Sequence, residues 1–318
     1  MKRILITGAS GQIGTELTAL CRKTYGVDNV IATNVKAGIN DSVENDGIFY
    51  SMDVRDGNRI FELVTSHKVD TIINLAALLS AVGEKNPELL WEVNMHGLYN
   101  CLEVAKDTGA MVFTPSSIAA FGPSTPKMQT PQITIQRPET IYGVSKVAGE
   151  LLCDYYHKKF NVDTRGVRYP GLVSYKAMPG GGTTDYAVMI FYEALKHNAY
   201  TCYLSSDIKM DMMYMPDALN AIITLCEADG SKLRHRNAYN ITAMSITPED
   251  LAAAIRKHLP GFKMSYDIDP VREGIARSWP DLLDDHFARE DWEWSPSYNL
   301  ETMTADMLQQ LRLKLGIK

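Results

Sequence analysis

Tyr142 and Lys146 are the residues of this sequence whose types and spacing first suggest catalysis. Apolar residues recur at helical spacing from Ser145 onward, so these two side chains, four positions apart, lie on one face near the start of a predicted helix. A lysine ammonium beside a phenol favours the phenolate and lowers the tyrosine pKa from about 10. Such a phenol can act as a general base near neutral pH. A Tyr/Lys pair at this spacing is more often an ordinary surface feature, so the elements before it decide the interpretation.

The composition of the 318-residue chain restricts the classes of function that it could have. A net charge of -6 gives no reason to expect a nucleic acid or a membrane surface as partner. No stretch approaches the about 20 apolar residues of a membrane span, and the N-terminus leads into a strand rather than a signal peptide. The scattered cysteines indicate reduced thiols in a cytoplasmic enzyme and no structural metal site. They are Cys21, Cys101, Cys153, Cys202 and Cys226.

A glycine-rich turn near the N-terminus predicts a dinucleotide site. Residues 2–7 form a predicted strand, residues 15–23 a predicted helix, and G-x-x-G-x-x-G lies between them. The glycines permit a tight turn and the close approach of a pyrophosphate, and the helix N-terminus supplies amide donors and positive potential. The alternative is a turn that only packs the helix on the strand. The predicted cofactor contacts here are Gly8, Gly11, Gln12, Ile13 and Gly14.

The second predicted strand, residues 30–33, ends at Asn34, where an acidic residue would bind the adenosine ribose and favour NAD over NADP. Asn34 can still bond a ribose but repels a 2′-phosphate less, and Lys36 is close by, so the cofactor preference stays open. A third strand ends at Asp53 and Val54, which suit the adenine edge. Asp53 could equally cap a helix predicted for residues 55–67.

The fourth predicted strand covers residues 71–77 and has small residues at its carboxyl end, where Leu75, Ala76 and Ala77 are predicted cofactor contacts. They would let a cofactor lie against the backbone, where open α/β sheets bind ligands. A helix over residues 87–107 carries Asn94, a further predicted cofactor contact, and the fifth strand leads to Ser117. The alternation predicts an α/β protein: a Rossmann-like, doubly wound parallel sheet with a smaller C-terminal substrate lobe.

Together these motifs resemble the extended short-chain dehydrogenase/reductase superfamily, close to the sugar-nucleotide epimerases and dehydratases. The motifs are Gly8-x-x-Gly11-x-x-Gly14, Asn74-Leu-Ala-Ala77, Ser116-Ser117 and Tyr142-x-x-x-Lys146. Other stretches look like the short-chain-type L-threonine 3-dehydrogenases: residues 78–87, 115–123, 168–172 and 180–187, with Trp292-Glu-Trp-Ser-Pro296 fitting the superfamily. The chain departs from the usual pattern at Asn34, where an aspartate is usual, and at Asn74, where histidine is frequent.

The resemblance implies roles for the catalytic residues. Ser117, selected by counting back from Phe121-Gly122, would bind the reacting oxygen, although it could instead only cap a turn. Tyr142 would take the hydroxyl proton of the substrate while hydride leaves the same carbon for the nicotinamide of NAD. Lys146 would hold the phenolate and bond the nicotinamide ribose. The cofactor would supply the difficult chemistry and the protein the geometry.

The second half of the chain would select the substrate. Tyr169, Pro170 and Leu172 would line the nicotinamide carboxamide, and Gly180-Gly-Gly182 suits a mobile lid. Threonine is a zwitterion, so its site needs an acceptor for ammonium and donors for carboxylate. Trp279 could close the pocket, or it could be a packed core residue. The predicted substrate-binding side chains are Ser80, Ser117, Tyr142, Thr183, Thr184 and Asp185.

The implied reaction is the NAD-dependent oxidation of L-threonine to L-2-amino-3-oxobutanoate. The alternative is a sugar-nucleotide epimerase or dehydratase, which would need basic residues for a diphosphate, yet residues 176–213 contain only Lys176, Lys196 and Lys209. A third possibility is a redox-sensing regulator that binds dinucleotide without catalysis.

The resemblance also implies an organisation of the chain. Residues 1–170 would bind NAD, with their sheet completed near residues 237–242, and residues 171–318 would form mainly the substrate lobe. Helices around residues 88–106 and 142–160 would pair two subunits in a homodimer.

Overall fold

A computed structural model describes residues 1–176 and 180–317 of the chain. Its central sheet contains six parallel strands in the order β3-β2-β1-β4-β5-β7. The strand order reverses between β1 and β4, and open α/β sheets bind ligands in the crevice at such a reversal. The predicted α/β class is confirmed. The strands of this sheet are β1 (Ile4–Thr7), β2 (Val30–Asn34), β3 (Phe49–Ser51), β4 (Thr71–Asn74), β5 (Met111–Phe113) and β7 (Thr164–Arg165).

Helices cover both faces of the sheet, which is why β1 is buried along its whole length. One face packs against α1 and α9, and the other against α3, α6 and α7. The helices of this half are α1 (Gln12–Tyr25), α2 (Asp41–Asn45), α3 (Gly57–Ser66), α4 (Ser80–Gly83), α5 (Pro87–Trp91), α6 (Gly97–Thr108), α7 (Ile141–Phe160) and, from later in the chain, α9 (Met215–Glu227). A π-helical turn, Glu92–His96, joins α5 to α6.

Three smaller sheets extend the structure. Strands β6, β8 and β12 are parallel, with Tyr239 of β12 opposite Val167 of β8, so the chain returns to β8 after the lobe. The division of the chain at residue 170 stays a prediction. The strands of the smaller sheets are β6 (Ser116–Ser117), β8 (Val167–Tyr169), β9 (Gly171–Val173), β10 (Ala199–Cys202), β11 (Met210–Tyr214), β12 (Tyr239–Asn240), β13 (Met244–Ile246) and β14 (Lys263–Tyr266).

A separate apolar core lies in the second half of the chain. It includes Phe191, Met212, Leu251 and Met307, from three helices and one strand. The remaining helices are α8 (Tyr186–His197), α10 (Pro248–His258), α11 (Pro270–Ser278), α12 (His286–Trp292) and α13 (Leu300–Leu315). No helix within residues 1–176 and 180–317 combines the length and apolar character needed to cross a membrane.

Two local predictions were wrong. Strand β4 ends at Asn74 rather than Ala77, so the small residues lie in the loop after the strand. Helix α3 begins at Gly57 and its N-cap is Asp56, whose carboxylate accepts a hydrogen bond from Arg59 N at 3.0 Å. Asp53 therefore is not the cap. Its carboxylate instead pairs with Arg55, 2.7 Å away.

Candidate active site

Tyr142, Ser117 and Lys146 lie together where β6 meets the start of α7. Tyr142 is the second residue of α7, whose N-cap, Thr140, accepts a hydrogen bond from Gly143 N at 3.1 Å. A Cβ on Gly143 would lie 2.2 Å from the carbonyl oxygen of Ala119. Glycine at that position thus lets the helix start approach the turn that follows β6, and Tyr142 and Ser117 line the same pocket.

Ser117 caps a turn, and its contact with the reacting oxygen stays a prediction. Its hydroxyl accepts a hydrogen bond from Ala119 N at 3.2 Å and so caps the 3-10 turn Ile118–Ala120. The same hydroxyl faces the phenol of Tyr142. The turn cap uses the hydroxyl oxygen as an acceptor and leaves its proton to donate, so capping and binding of a reacting oxygen are compatible.

Lys146 is held by the backbone rather than by the phenol oxygen. Its ammonium donates a hydrogen bond to the carbonyl of Pro115 at 2.8 Å and lies 5.3 Å from the centroid of the Tyr142 ring. Burial lowers the pKa of Lys146 to about 8, although the charge of Glu150 opposes this change. The side chain therefore still carries a positive charge at neutral pH.

The predicted lowering of the Tyr142 pKa was wrong. Burial raises the pKa of Tyr142 to about 12, and the hydrogen bond with Ser117 offsets only part of this change. The physical reason is that loss of hydration penalises a phenolate strongly. The Lys146 ammonium, directed at the Pro115 carbonyl, does not compensate.

A buried ion pair behind the predicted catalytic residues was not expected from the sequence. Glu150 lies four residues after Lys146 on α7, and Arg168 of β8 donates two hydrogen bonds to its carboxylate at 2.9 and 2.7 Å. Their side chains are 3% and 2% exposed. Ser116 donates to the same carboxylate at 2.5 Å. The pair therefore anchors the strand end that carries Ser117. The continued four-residue spacing from Tyr142 through Lys146 to Glu150 was the signal that could have revealed it.

The glycine-rich turn has the shape of a pyrophosphate cradle. A Cβ on Gly8 would lie 2.7 Å from Ala76 N, and one on Gly14 would lie 2.3 Å from the Gly8 carbonyl, so packing requires both glycines. A Cβ on Gly11 would meet only that carbonyl, at 3.1 Å. Gly11 is the N-cap of α1, and because glycine has no side chain, it makes no side-chain hydrogen bond to the first amides of the helix. The buried hydroxyl of Ser10 lacks a hydrogen-bond partner among the described residues. These features fit a bound phosphate group.

The predicted adenosine contacts lie at the ends of β2 and β3. The Asn34 amide donates to the Lys36 carbonyl at 3.2 Å, which leaves its oxygen as an acceptor for a ribose. Arg55 lowers the pKa of Asp53 and occupies its carboxylate, while Val54 is buried. The side chain of Asp53 is therefore committed to Arg55, and the contact of this segment with adenine stays a prediction.

Asn94 fixes the loop that follows β4. Its side-chain oxygen accepts from Leu78 N at 2.8 Å, and its amide donates to the Leu78 carbonyl at 3.1 Å. The π-helical turn, a distortion found frequently at functional sites, carries this residue. Asn74 also has a structural contact, since its oxygen accepts from the Thr7 hydroxyl at 2.7 Å. A direct contact of Asn94 with a cofactor stays a prediction.

A pocket of about 180 Å³ connects the catalytic residues with the second half of the chain. All six predicted substrate-binding residues line it, together with Trp279. Trp279 is also 7% exposed, so it is both a packed core residue and a wall of the pocket. The predicted cofactor contacts that share this lining, besides Tyr142 and Lys146, are Gln12, Ile13, Leu75, Ala77, Tyr169, Pro170 and Leu172. Those outside it are Gly8, Gly11, Gly14, Asn34, Asp53, Val54, Ala76 and Asn94.

Residues 180–185, named the lobe turn, contribute Gly182, Thr183, Thr184 and Asp185 to the lining of the pocket. The Asp185 carboxylate accepts hydrogen bonds from Gly181 N and Gly182 N, both at 2.7 Å, through one of its oxygens. Burial raises the pKa of Asp185, and these hydrogen bonds partly offset the change. Asp185 thus shapes the glycine segment and leaves its other oxygen for a ligand.

The sequence model of the NAD dependent epimerase/dehydratase family matches residues 4–242, and the chain belongs to this family. An uncharacterized epimerase/dehydratase of Staphylococcus saprophyticus is 56% identical over 314 residues, which are 99% of this chain and 98% of that protein. The solved structure of an L-threonine dehydrogenase from Clostridium difficile is 58% identical, with a TM-score of 0.98 over 100% of this chain and 99% of that one. The holo form of an L-threonine dehydrogenase from Cupriavidus necator is 49% identical, with a TM-score of 0.94 over 97% and 99% of the two chains.

Proposed function

We propose that the chain is an NAD-dependent L-threonine 3-dehydrogenase, which oxidises L-threonine to L-2-amino-3-oxobutanoate. The observation that carries this proposal is the single pocket in which Ser117 and Tyr142 face the polar residues of the lobe turn. The full-length similarity to solved L-threonine dehydrogenases supports it.

The cofactor would be NAD, which, when bound, accepts the hydride. The turn around Gly11 and the start of α1 would hold its pyrophosphate, and Asn34 its adenosine ribose. Lys146 would hold the nicotinamide ribose. Tyr169, Pro170 and Leu172, which line the same pocket as Tyr142, would contact the carboxamide.

Tyr142 would remove the proton of the substrate hydroxyl as hydride leaves the same carbon. Ser117 would hold the reacting oxygen, since it lines the same pocket as Tyr142. A pKa of about 12 keeps the phenol protonated at neutral pH, so the base needs a nearby positive charge. An oxidised nicotinamide would supply one in addition to the Lys146 ammonium, which alone does not offset the burial of the phenol. We therefore expect the phenolate to become accessible only once the cofactor is in place.

The substrate contacts follow from the charges of threonine. The free carboxylate oxygen of Asp185 would accept hydrogen bonds from the ammonium. The hydroxyls of Ser80, Thr183 and Thr184 would donate to the carboxylate.

The direct test is NADH absorbance with L-threonine as the sole substrate. We expect NADH to form with NAD and L-threonine. Turnover of a UDP- or GDP-sugar without any L-threonine oxidation would replace this proposal with the epimerase or dehydratase alternative. Tight NAD(H) binding without turnover of any alcohol would favour the regulator.

We also propose that the chain forms a homodimer in the cytoplasm and serves threonine catabolism. Apolar side chains are exposed on the helices predicted to form the subunit contact. They include Trp91 at the end of α5, Tyr99 on α6, and Leu151 and Tyr155 on α7. Leu151 is 61% and Tyr155 52% exposed. Burying such a surface stabilises association. Light scattering that gives the mass of one chain, 35.4 kDa, would contradict the dimer.

A further inference from the structure

The lobe turn needs an anchor outside itself. Three glycines, residues 180–182, precede its polar residues, and glycine loses more conformational freedom on ordering than any other residue. The Asp185 carboxylate constrains the glycines only from within the turn. Substrate affinity requires the polar groups to be ordered before binding, because ordering them afterwards costs free energy.

The phenol of Tyr203 joins the two ends of the polar segment. Its oxygen accepts a hydrogen bond from Tyr186 N at 2.8 Å, and its hydroxyl donates to the Thr183 carbonyl at 3.1 Å. Thr183 and Tyr186 enclose Thr184 and Asp185, so one hydroxyl spans the entire segment. Both partners are buried, and the hydroxyl satisfies one donor and one acceptor of the backbone.

Tyr203 is itself fixed from two directions. The guanidinium of Arg272, on α11, lies 4.3 Å from the centroid of its ring. The Tyr186 ring packs edge-on against it, with centroids 6.3 Å apart and planes at 90°. Helix α11 ends directly before Trp279, which also lines the pocket. Tyr203 therefore connects the lobe turn with helix α11, which Trp279 directly follows.

We propose that Tyr203 is a positioning residue that holds Thr183, Thr184 and Asp185 in their substrate-binding arrangement. It lies outside the lining of the pocket and contacts the turn from behind. Its role is to lower the KM for the amino acid, while hydride transfer depends on Tyr142 and Ser117. This inference rests on the proposed function.

Tyr203→Phe tests the proposal, because it removes one oxygen and keeps the ring beneath Arg272. We expect the KM for L-threonine to rise about tenfold, as loss of two hydrogen bonds of ordinary net strength predicts. The value of kcat should stay within about threefold, and the Kd for NAD should not change. The matched control is Tyr200→Phe, three residues earlier on β10 and also outside the pocket lining. It should leave KM unchanged.

Hydrogen exchange at the Tyr186 amide supplies a second measurement that needs no substrate. The amide should exchange faster in Tyr203→Phe than in the wild type or in Tyr200→Phe, since its acceptor is lost. If the wild type oxidises L-threonine but Tyr203→Phe leaves KM unaltered, the role of Tyr203 is refuted and the proposed function stands. If the wild type oxidises no L-threonine, the proposed function fails. If the Tyr186 amide exchanges at the same rate in Tyr203→Phe as in the wild type, the anchoring role of Tyr203 is refuted.

Discussion

The catalytic residues and the lobe turn face each other across one pocket, but different forces hold them. Behind Ser117 and Lys146 lie a helix, a strand end and the buried pair of Glu150 with Arg168. Residues 180–185 depend on hydrogen bonds to one carboxylate and one phenol.

This difference separates two tasks. Reacting groups must be held within a narrow geometry, which a buried ion pair and regular elements provide. The substrate wall must admit and release a small molecule, so a short turn with few anchors suits it. Changes behind the catalytic residues should therefore alter stability and kcat, while changes at the lobe turn should alter KM.

Tyr142→Phe should produce the largest effect on the catalytic side. Loss of a general base lowers the rate by about 10²–10⁴-fold, so oxidation should fall at least a hundredfold. NAD binding should be nearly intact because the phenyl ring remains. Initial rates of NADH formation and titration with NAD measure the two effects. Activity within tenfold of the wild type would remove Tyr142 from the role of base.

Glu150→Gln should destabilise the fold, because it leaves the Arg168 guanidinium buried without its countercharge. Breaking a buried pair in this way costs about 3–5 kcal/mol of unfolding free energy. Denaturant unfolding would measure the loss. Glu193→Gln is the control, since Glu193 lies on α8 and makes only a long contact of 3.9 Å with an exposed His197. An equal free energy of unfolding for the two variants would show that the buried pair does not stabilise the fold.

Asp185→Asn should act on the substrate side. The amide oxygen can still accept from the glycine amides, but the negative charge that would face the ammonium is lost. We expect the KM for L-threonine to rise by about tenfold or more, as for the loss of a charged hydrogen bond, with a smaller change in kcat. A fall in kcat at unchanged KM would break the comparison, because it would give the lobe turn a role in hydride transfer.

The pH at which Tyr142 ionises should depend on the cofactor. Its pKa of about 12 means that phenolate is scarce in the cofactor-free protein and increases as pH rises toward that value. A positive charge nearby favours the phenolate and lowers a pKa by about 1–3 units. The difference in phenolate absorbance between the wild type and Tyr142→Phe, followed against pH with and without NAD, would measure the shift. An identical titration midpoint with and without NAD would show that the cofactor does not lower the pKa of Tyr142.

Asn34→Asp should have the smallest effect, a several-fold improvement of NAD over NADP. The added carboxylate would accept from the ribose hydroxyls and repel a 2′-phosphate. Asn34 is not among the residues that line the substrate pocket, so the KM for L-threonine should stay constant. Unchanged selectivity between the two dinucleotides would show that Asn34 is not at the ribose.

The sequence by itself determined the parts of this protein that depend on local pattern. Glycine spacing between a strand and a helix predicted the cradle around Gly11, and alternation of elements predicted the parallel sheet. The four-residue spacing placed Tyr142 and Lys146 on one helix face, and the resemblance to the superfamily, applied at Phe121-Gly122, selected Ser117. These features are recognisable because each arises from residues that are neighbours in the chain.

Only the tertiary structure decided how these residues are tuned and supported. Burial, not the neighbouring lysine, controls the Tyr142 pKa. Glu150 meets Arg168 across 18 positions of the chain, and Tyr203 meets Thr183 across 20. The physical reason is that desolvation and long-range pairing depend on what folding brings together around a side chain, which local spacing does not specify.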